Sequence, residues 1–176
     1  MIFLFFIFGL IFGSFFNVVI YRLPKGLSLV KPRSSCPHCK HELTPGELVP
    51  VLSYLWQKGR CKVCKKPISW RYPIVEFATG VGFALVAWKS IYWSDYLVGS
   101  VFFSLLLVLA LIDLEHKLLP NKLTLSGLAI GLLFSLLGWN LPFFSSLLGG
   151  TVGFALLFVI ALISRGGMGM GDVKLM

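Results

Sequence analysis

The stretch IFLFFIFGLIFGSFFNVVI (residues 2–20) decides the fold, because it is long, apolar and free of charge. A helix that crosses the hydrocarbon core of a bilayer needs about 20 such residues. A cleaved signal peptide is the alternative, but no basic residue precedes the run, the run is too long, and no small-residue cleavage site follows it. We therefore interpret these residues as a retained first membrane span.

The composition extends this interpretation to the whole chain. Of its 176 residues, 57% are hydrophobic and 13% are charged, and the mean hydropathy is +0.86. A soluble domain with a core of this size would need a polar shell that the sequence lacks. We predict an all-α integral membrane protein, a polytopic helical bundle with about five spans: Ile2–Ile20, Ile74–Trp88, Tyr96–Ile112, Leu123–Leu137 and Leu147–Ile163.

Basic residues predict the orientation of the bundle in a cell inner (cytoplasmic) membrane. Eleven lysines and arginines lie between the first two spans, and cytoplasmic loops are enriched in such residues. Threading the chain from this loop places fifteen of the sixteen lysines and arginines in the cytosol, with Lys89 as the exception. The formal charge of +9 then reflects topology and an affinity for anionic lipids. No nucleic-acid motif accompanies it, so we predict no nucleic-acid partner.

A polar insert, residues 23–72, lies between the first two spans. It contains two C-x-x-C pairs, CPHC (36–39) and CKVC (61–64), separated by 21 residues. Each pair can present two thiolates to one ion, and four thiolates complete the tetrahedral site that zinc favours. The predicted metal ligands are Cys36, Cys39, Cys61 and Cys64. His38 and His41 stay open as alternative ligands. Disulfide pairing is the other alternative, which a reducing cytosol disfavours. No internal repeat is evident in the sequence.

Three of the seven acidic residues lie at the edge of an apolar run. Asp113 ends the third span, Asp172 follows the fifth, and Glu76 lies at the start of the second. Ionisable groups at a bilayer boundary are costly and usually have a function. Solvated carboxylates are ordinary at the other four positions, which are Glu42, Glu47, Asp95 and Glu115.

Asp113 and Asp172 are predicted to emerge on the same, cytoplasmic, face. Two close carboxylates share one proton, so the ionised partner can activate a water while the protonated one hydrogen-bonds the scissile carbonyl. The glycines in GGMGMGD (166–172) would let a substrate strand approach. The alternative for the glycines is a flexible turn, and the alternative for Asp113 and Glu115 is a solvated loop. A phosphate-binding loop is disfavoured because no Gly-Lys-Ser/Thr follows the glycines.

Several motifs together resemble those of the type IV prepilin peptidases, a family of membrane aspartic proteases. They are GSFFNVVIYRLP (13–24), the two C-x-x-C pairs, WRYPIVEFATG (70–80), DLEHKLLPN (113–121) and GMGMGDVKL (167–175). The resemblance implies that Asp113 and Asp172, the latter in the G-x-G-D motif, form the catalytic pair. It also implies cleavage of type IV prepilins or type II secretion pseudopilins, followed by N-methylation of the new N-terminus with S-adenosyl-L-methionine. Glu76 matches a glutamate associated with methyl transfer.

The implied organisation has three parts: a first span (1–22), a cytoplasmic four-cysteine zinc-binding insert that is the methyltransferase region (23–72), and a transmembrane peptidase bundle (73–176). Family members usually continue beyond the G-x-G-D motif, so a chain that ends at Met176 is either a fragment or a shortened protein. We expect the parent protein to be active and this chain to be weakly active alone. The alternatives are a peptidase without methyltransferase activity and a non-catalytic zinc-bearing scaffold of a pilus or secretion system. The sequence specifies neither the pilin nor the oligomeric state.

Overall fold

The architecture is all-helical in a computed structural model that describes residues 2–139 and 142–163. No strand occurs in those ranges, and the only β-pairing described there is two isolated bridges in the insert, so the predicted fold class is confirmed. Each of the five predicted spans lies on a helix. The α-helices are α1 (Ile2–Arg22), α2 (Leu52–Trp56), α3 (Arg71–Lys89), α4 (Trp93–His116), α5 (Asn121–Leu136) and α6 (Phe143–Ile163).

The helix boundaries follow from local sequence. The Asp95 carboxylate accepts a hydrogen bond from the backbone N–H of Tyr92 at 3.2 Å, which caps the start of α4. Lys117 adopts a left-handed conformation with φ 51°, and this ends α4. Pro120 then precedes the first residue of α5, because proline suits a helix start and lacks the N–H that a helix interior requires.

Two helical segments, Ile2–Lys25 and Trp93–His116, are long and apolar enough to cross a bilayer. Two shorter apolar helical segments are Asn121–Leu136, which is α5, and Phe143–Leu156, which lies within α6. Large side chains on these helices remain exposed, including Phe3 at 71% and Phe102 at 62%. Such apolar surface suits contact with lipid tails. The number of spans stays a prediction.

By its internal contacts the chain divides into two units, residues 1–89 and 90–176. In the first unit, α1 packs closely against α3. A Cβ atom added to Gly9 would lie 2.6 Å from the Thr79 carbonyl oxygen, and one added to Gly13 would lie 2.7 Å from the Glu76 Cα. The two glycines form a G-x-x-x-G motif, in which the absence of side chains lets membrane helices approach. The domain limits drawn from the sequence stay a prediction.

In the second unit, α5 contacts both α4 and α6. The Ser135 hydroxyl donates a hydrogen bond to the Ser146 hydroxyl at 2.9 Å, which joins α5 to α6. Gly127 faces the Leu105 side chain of α4, since an added Cβ would lie 3.1 Å from its Cδ1. Small residues and hydroxyl bonds are the usual means by which helices associate in lipid.

Candidate functional site

The four cysteines converge in the folded insert. Their sulfur atoms all lie within 4.8 Å of one another, with Cys36 and Cys64 at 3.8 Å and Cys39 and Cys61 at 3.9 Å. A tetrahedral zinc site with Zn–S bonds of about 2.3 Å has sulfur–sulfur edges of about 3.8 Å. The donor set therefore fits a metal ion of this size. The disulfide alternative is wrong, because all four cysteines are free and a disulfide needs a separation of about 2.05 Å.

The two C-x-x-C pairs adopt the same backbone geometry, 25 residues apart. The first cysteine of each pair donates its N–H to the carbonyl five residues on, at 2.9 Å in both knuckles. Its own carbonyl accepts the N–H of the residue four positions on, Lys40 or Lys65, at 3.0 Å. These lysines have φ 59° and 58°, a left-handed conformation that reverses the chain. Residues 36–41 and 61–66 therefore form the same structural knuckle twice. Their sequences share only the two cysteines and the lysine that follows the second one, so no repeat was evident from sequence.

Backbone amides stabilise the thiolate form of the first cysteine in each knuckle. The backbone N–H of Cys39, hydrogen-bonded to the Cys36 sulfur, lowers the Cys36 pKa from 9.0 to about 7 against the opposing effect of burial. The backbone N–H of Cys64 likewise lowers the pKa of Cys61. Thiolates are the metal-binding form of cysteine, so at Cys36 and Cys61 this arrangement favours ion binding. At Cys39 the His41 backbone N–H lowers the pKa, but burial and the neighbouring sulfur atoms outweigh it and raise the pKa to about 11.

Neither histidine belongs to the sulfur cluster. His38 is exposed, and His41 places its Nε2 3.3 Å from Glu47 Oε2. The same carboxylate oxygen accepts hydrogen bonds from the Thr44 N–H at 3.0 Å and the Thr44 hydroxyl at 2.8 Å. The Thr44 N–H is the main cause of a lowered Glu47 pKa. The interpretation of Glu47 as a solvated carboxylate was wrong, since its side chain is only 6% exposed and completes a capping box.

Glu76 is buried on α3 with 8% of its surface exposed. Its Oε2 accepts a hydrogen bond of 2.7 Å from the backbone N–H of Val51 in the insert, and the Ser14 side chain bonds the same carboxyl group. The sequence predicted that Glu76 has a function from its position in an apolar run. It gave no signal for Val51, whose contribution is a backbone atom.

Asp113 lies in the last turn of α4 and is exposed. Its backbone carbonyl accepts the N–H of Lys117 at 2.7 Å, which fixes the helix end. Asp172 and the glycine-rich stretch lie outside the described residues, so the spacing of the two carboxylates stays a prediction.

Comparison with known proteins gives matches along most of the chain. The Bacterial Peptidase A24 N-terminal domain matches residues 7–90, and the Type IV leader peptidase family matches residues 100–176. Three relatives each carry the name prepilin leader peptidase/N-methyltransferase. The one from Bacillus subtilis is 43% identical over 97% of this chain and 68% of its own length. The one from Klebsiella pneumoniae is 41% identical over 97% of this chain and 80% of its own length. The one from Neisseria gonorrhoeae is 36% identical over 95% of this chain and 68% of its own length. No solved structure matches the chain significantly.

Proposed function

Because the chain belongs to the type IV leader peptidase family, we propose that it cleaves the leader from type IV prepilins or pseudopilins and then methylates the new N-terminus. The observation that carries this proposal is that both halves of the chain match, together with relatives whose name joins the two activities. The four-cysteine cluster supports it, because four sulfur atoms that could hold a metal ion in the insert agree with a second functional region beside the peptidase.

For the peptidase reaction we assign Asp113 and Asp172 as the acid and base. The ionised carboxylate takes a proton from water, and the water oxygen bonds to the scissile carbonyl carbon while the protonated partner donates a hydrogen bond to the carbonyl oxygen. The carbon–nitrogen bond then breaks, and the departing amine takes up a proton from the pair. The exposure of Asp113 at the end of α4 leaves its carboxylate accessible to a substrate.

For the insert we assign Cys36, Cys39, Cys61 and Cys64 as ligands of one zinc ion that holds the insert folded. A site closed by four thiolates has no open position for substrate, so its role is structural. S-adenosyl-L-methionine would supply the methyl group to the free amine that cleavage creates. We connect Glu76 with this second step, through its contact with the insert.

The proposed location is the inner membrane, with the cysteine insert and both aspartates on the cytoplasmic side. The support is the charge distribution, in which eleven basic residues lie between the first two spans. A prepilin with a basic cytoplasmic leader and an apolar helix would then meet the enzyme from within the bilayer.

The aspartate assignment is tested with Asp113→Asn and Asp172→Asn in a prepilin cleavage assay. Each substitution removes one half of the acid–base exchange, so we expect each to slow cleavage about 10²- to 10⁴-fold or more. Glu115→Gln is the matched control, because Glu115 is an exposed acid on the same helix. Full activity in either aspartate variant would remove that residue from the catalytic pair.

A further inference from the structure

The hydrogen bond between Glu76 and Val51 joins α3 to the insert across 25 residues of sequence. A buried carboxylate on an apolar helix is costly unless its oxygens are hydrogen-bonded. Here the Val51 N–H donates a hydrogen bond of 2.7 Å to one of those oxygens. The Ser14 side chain on α1 hydrogen-bonds the same carboxyl group. The carboxylate is therefore held between α1 and the insert.

Val51 adopts a rare backbone conformation that frees its N–H for this bond. Its dihedrals are φ 61° and ψ −49°, and the Leu52 N–H bonds the Pro50 carbonyl at 2.6 Å across it. This is the strained form of the γ-turn, in which a β-branched residue costs about 1–3 kcal/mol. The hydrogen bond of the turn joins the Leu52 N–H to the Pro50 carbonyl, so the Val51 N–H is available to Glu76. An outside contact is the usual support for such a conformation.

The same turn connects directly to the second cysteine knuckle. α2 begins at Leu52, and at its end the Gly59 N–H bonds the Tyr54 carbonyl at 2.9 Å. The Ile68 N–H then bonds the Gly59 carbonyl at 2.7 Å, which closes the loop that contains Cys61 and Cys64. A shift of Val51 would therefore be passed through one short helix to the metal-binding knuckle.

We propose that Glu76 is a positioning residue for methyl transfer, which sets the place of the four-cysteine insert on the α1–α3 pair by accepting the Val51 N–H. This inference rests on the proposed methyltransferase function of the insert. In this role Glu76 needs an acceptor oxygen on a side chain long enough to meet the Val51 N–H. The negative charge is secondary, and the cofactor is not its partner.

Two substitutions separate acceptor reach from charge. Glu76→Gln keeps the side-chain length and a carbonyl oxygen that can accept the Val51 N–H, but it removes the charge. Glu76→Asp keeps the charge, but its carboxylate is one methylene too short to reach Val51. For a positioning residue we expect Gln to retain methyl transfer within a few-fold of the unmodified protein. Asp should lower kcat about 10-fold or more, because the part-buried Val51 N–H would be left without its acceptor, with KM for S-adenosyl-L-methionine unchanged.

Hydrogen exchange of the peptide covering residues 49–56 provides a readout independent of activity. We expect protection in the unmodified protein and in Glu76→Gln, and faster exchange in Glu76→Asp. Glu42→Ala is the control for removing an exposed acid from the insert, and it should leave both readouts unchanged.

Three outcomes would overturn the proposal: loss of methylation in Glu76→Gln with normal protection, a raised KM for the cofactor in that variant, or full protection in Glu76→Asp. If the unmodified protein cleaves prepilin but never methylates it, the proposed methyltransferase function fails. The exchange measurement then still decides whether Glu76 positions the insert.

Discussion

Gly13→Ala should push α1 away from α3 and destabilise the first unit. The new methyl carbon would lie 2.7 Å from the Glu76 Cα and 3.0 Å from the Thr79 Cβ and Oγ1, whereas carbon atoms pack best at about 3.5–4.0 Å. The nearest atom belongs to a helix backbone and cannot rotate aside, so the helices must separate. Overpacking costs about 1–3 kcal/mol, and the better helix propensity of alanine returns up to about 1 kcal/mol. With the full helix-propensity gain of about 1 kcal/mol, the net loss is about 0–2 kcal/mol.

A loss of this size lowers the melting temperature by up to about 8 °C for a chain of this length. Scanning fluorimetry of the purified protein in one detergent measures it. Gly131→Ala is the matched control, because Gly131 lies in α5 with no described atom within 4 Å of an added Cβ. That variant should melt at the same temperature or slightly higher. Equal melting temperatures for Gly13→Ala and Gly131→Ala would refute the packing argument.

The other predictions concern the insert. Cys61→Ser should reduce the zinc content of the purified protein, measured by elemental mass spectrometry. Because a structural metal couples metal binding to folding, the substitution should also impair methyl transfer at least as much as cleavage. A full zinc complement in this variant would contradict the proposed zinc site. The Glu47 carboxyl has a lowered pKa, so its contribution to stability is complete above the unfolded pKa of 4.5 and is lost as the pH falls through the folded value. Glu47→Gln should therefore flatten the acid limb of the melting temperature against pH, and an unchanged slope would show that this carboxyl does not contribute. Thr44→Ala removes the hydroxyl half of the capping box and should cost about 0.5–2 kcal/mol in a chemical denaturation; a stability equal to that of the unmodified protein would show that the cap is dispensable.

The positions of the helices could be predicted from sequence because the apolar runs are long and lipid leaves the backbone little choice but helix. The cysteine cluster was equally accessible, since the C-x-x-C spacing itself brings two sulfur atoms to one point. A span depends on one apolar run and each sulfur pair on one C-x-x-C segment, while the preference of zinc for four ligands predicts that the two pairs meet.

Contacts between segments could not be predicted. Gly9 and Gly13 read as ordinary residues of a span until their distance from α3 is known. Glu47 is a different case, because its partner Thr44 lies three residues earlier and T-x-x-E is a local capping-box pattern that the sequence interpretation missed. The Val51 turn left no trace in sequence, because valine is among the residues least suited to positive φ. At the two glycines and at Val51, tertiary contacts determine what the local sequence does not show.

The most direct test of the whole account is intact-mass analysis of a prepilin after incubation with the protein and S-adenosyl-L-methionine. We predict a product that has lost its leader and is heavier by one methyl group at its new N-terminus, with neither change in a reaction containing Asp113→Asn. An unprocessed prepilin in the presence of the intact, zinc-loaded protein would contradict the central claim.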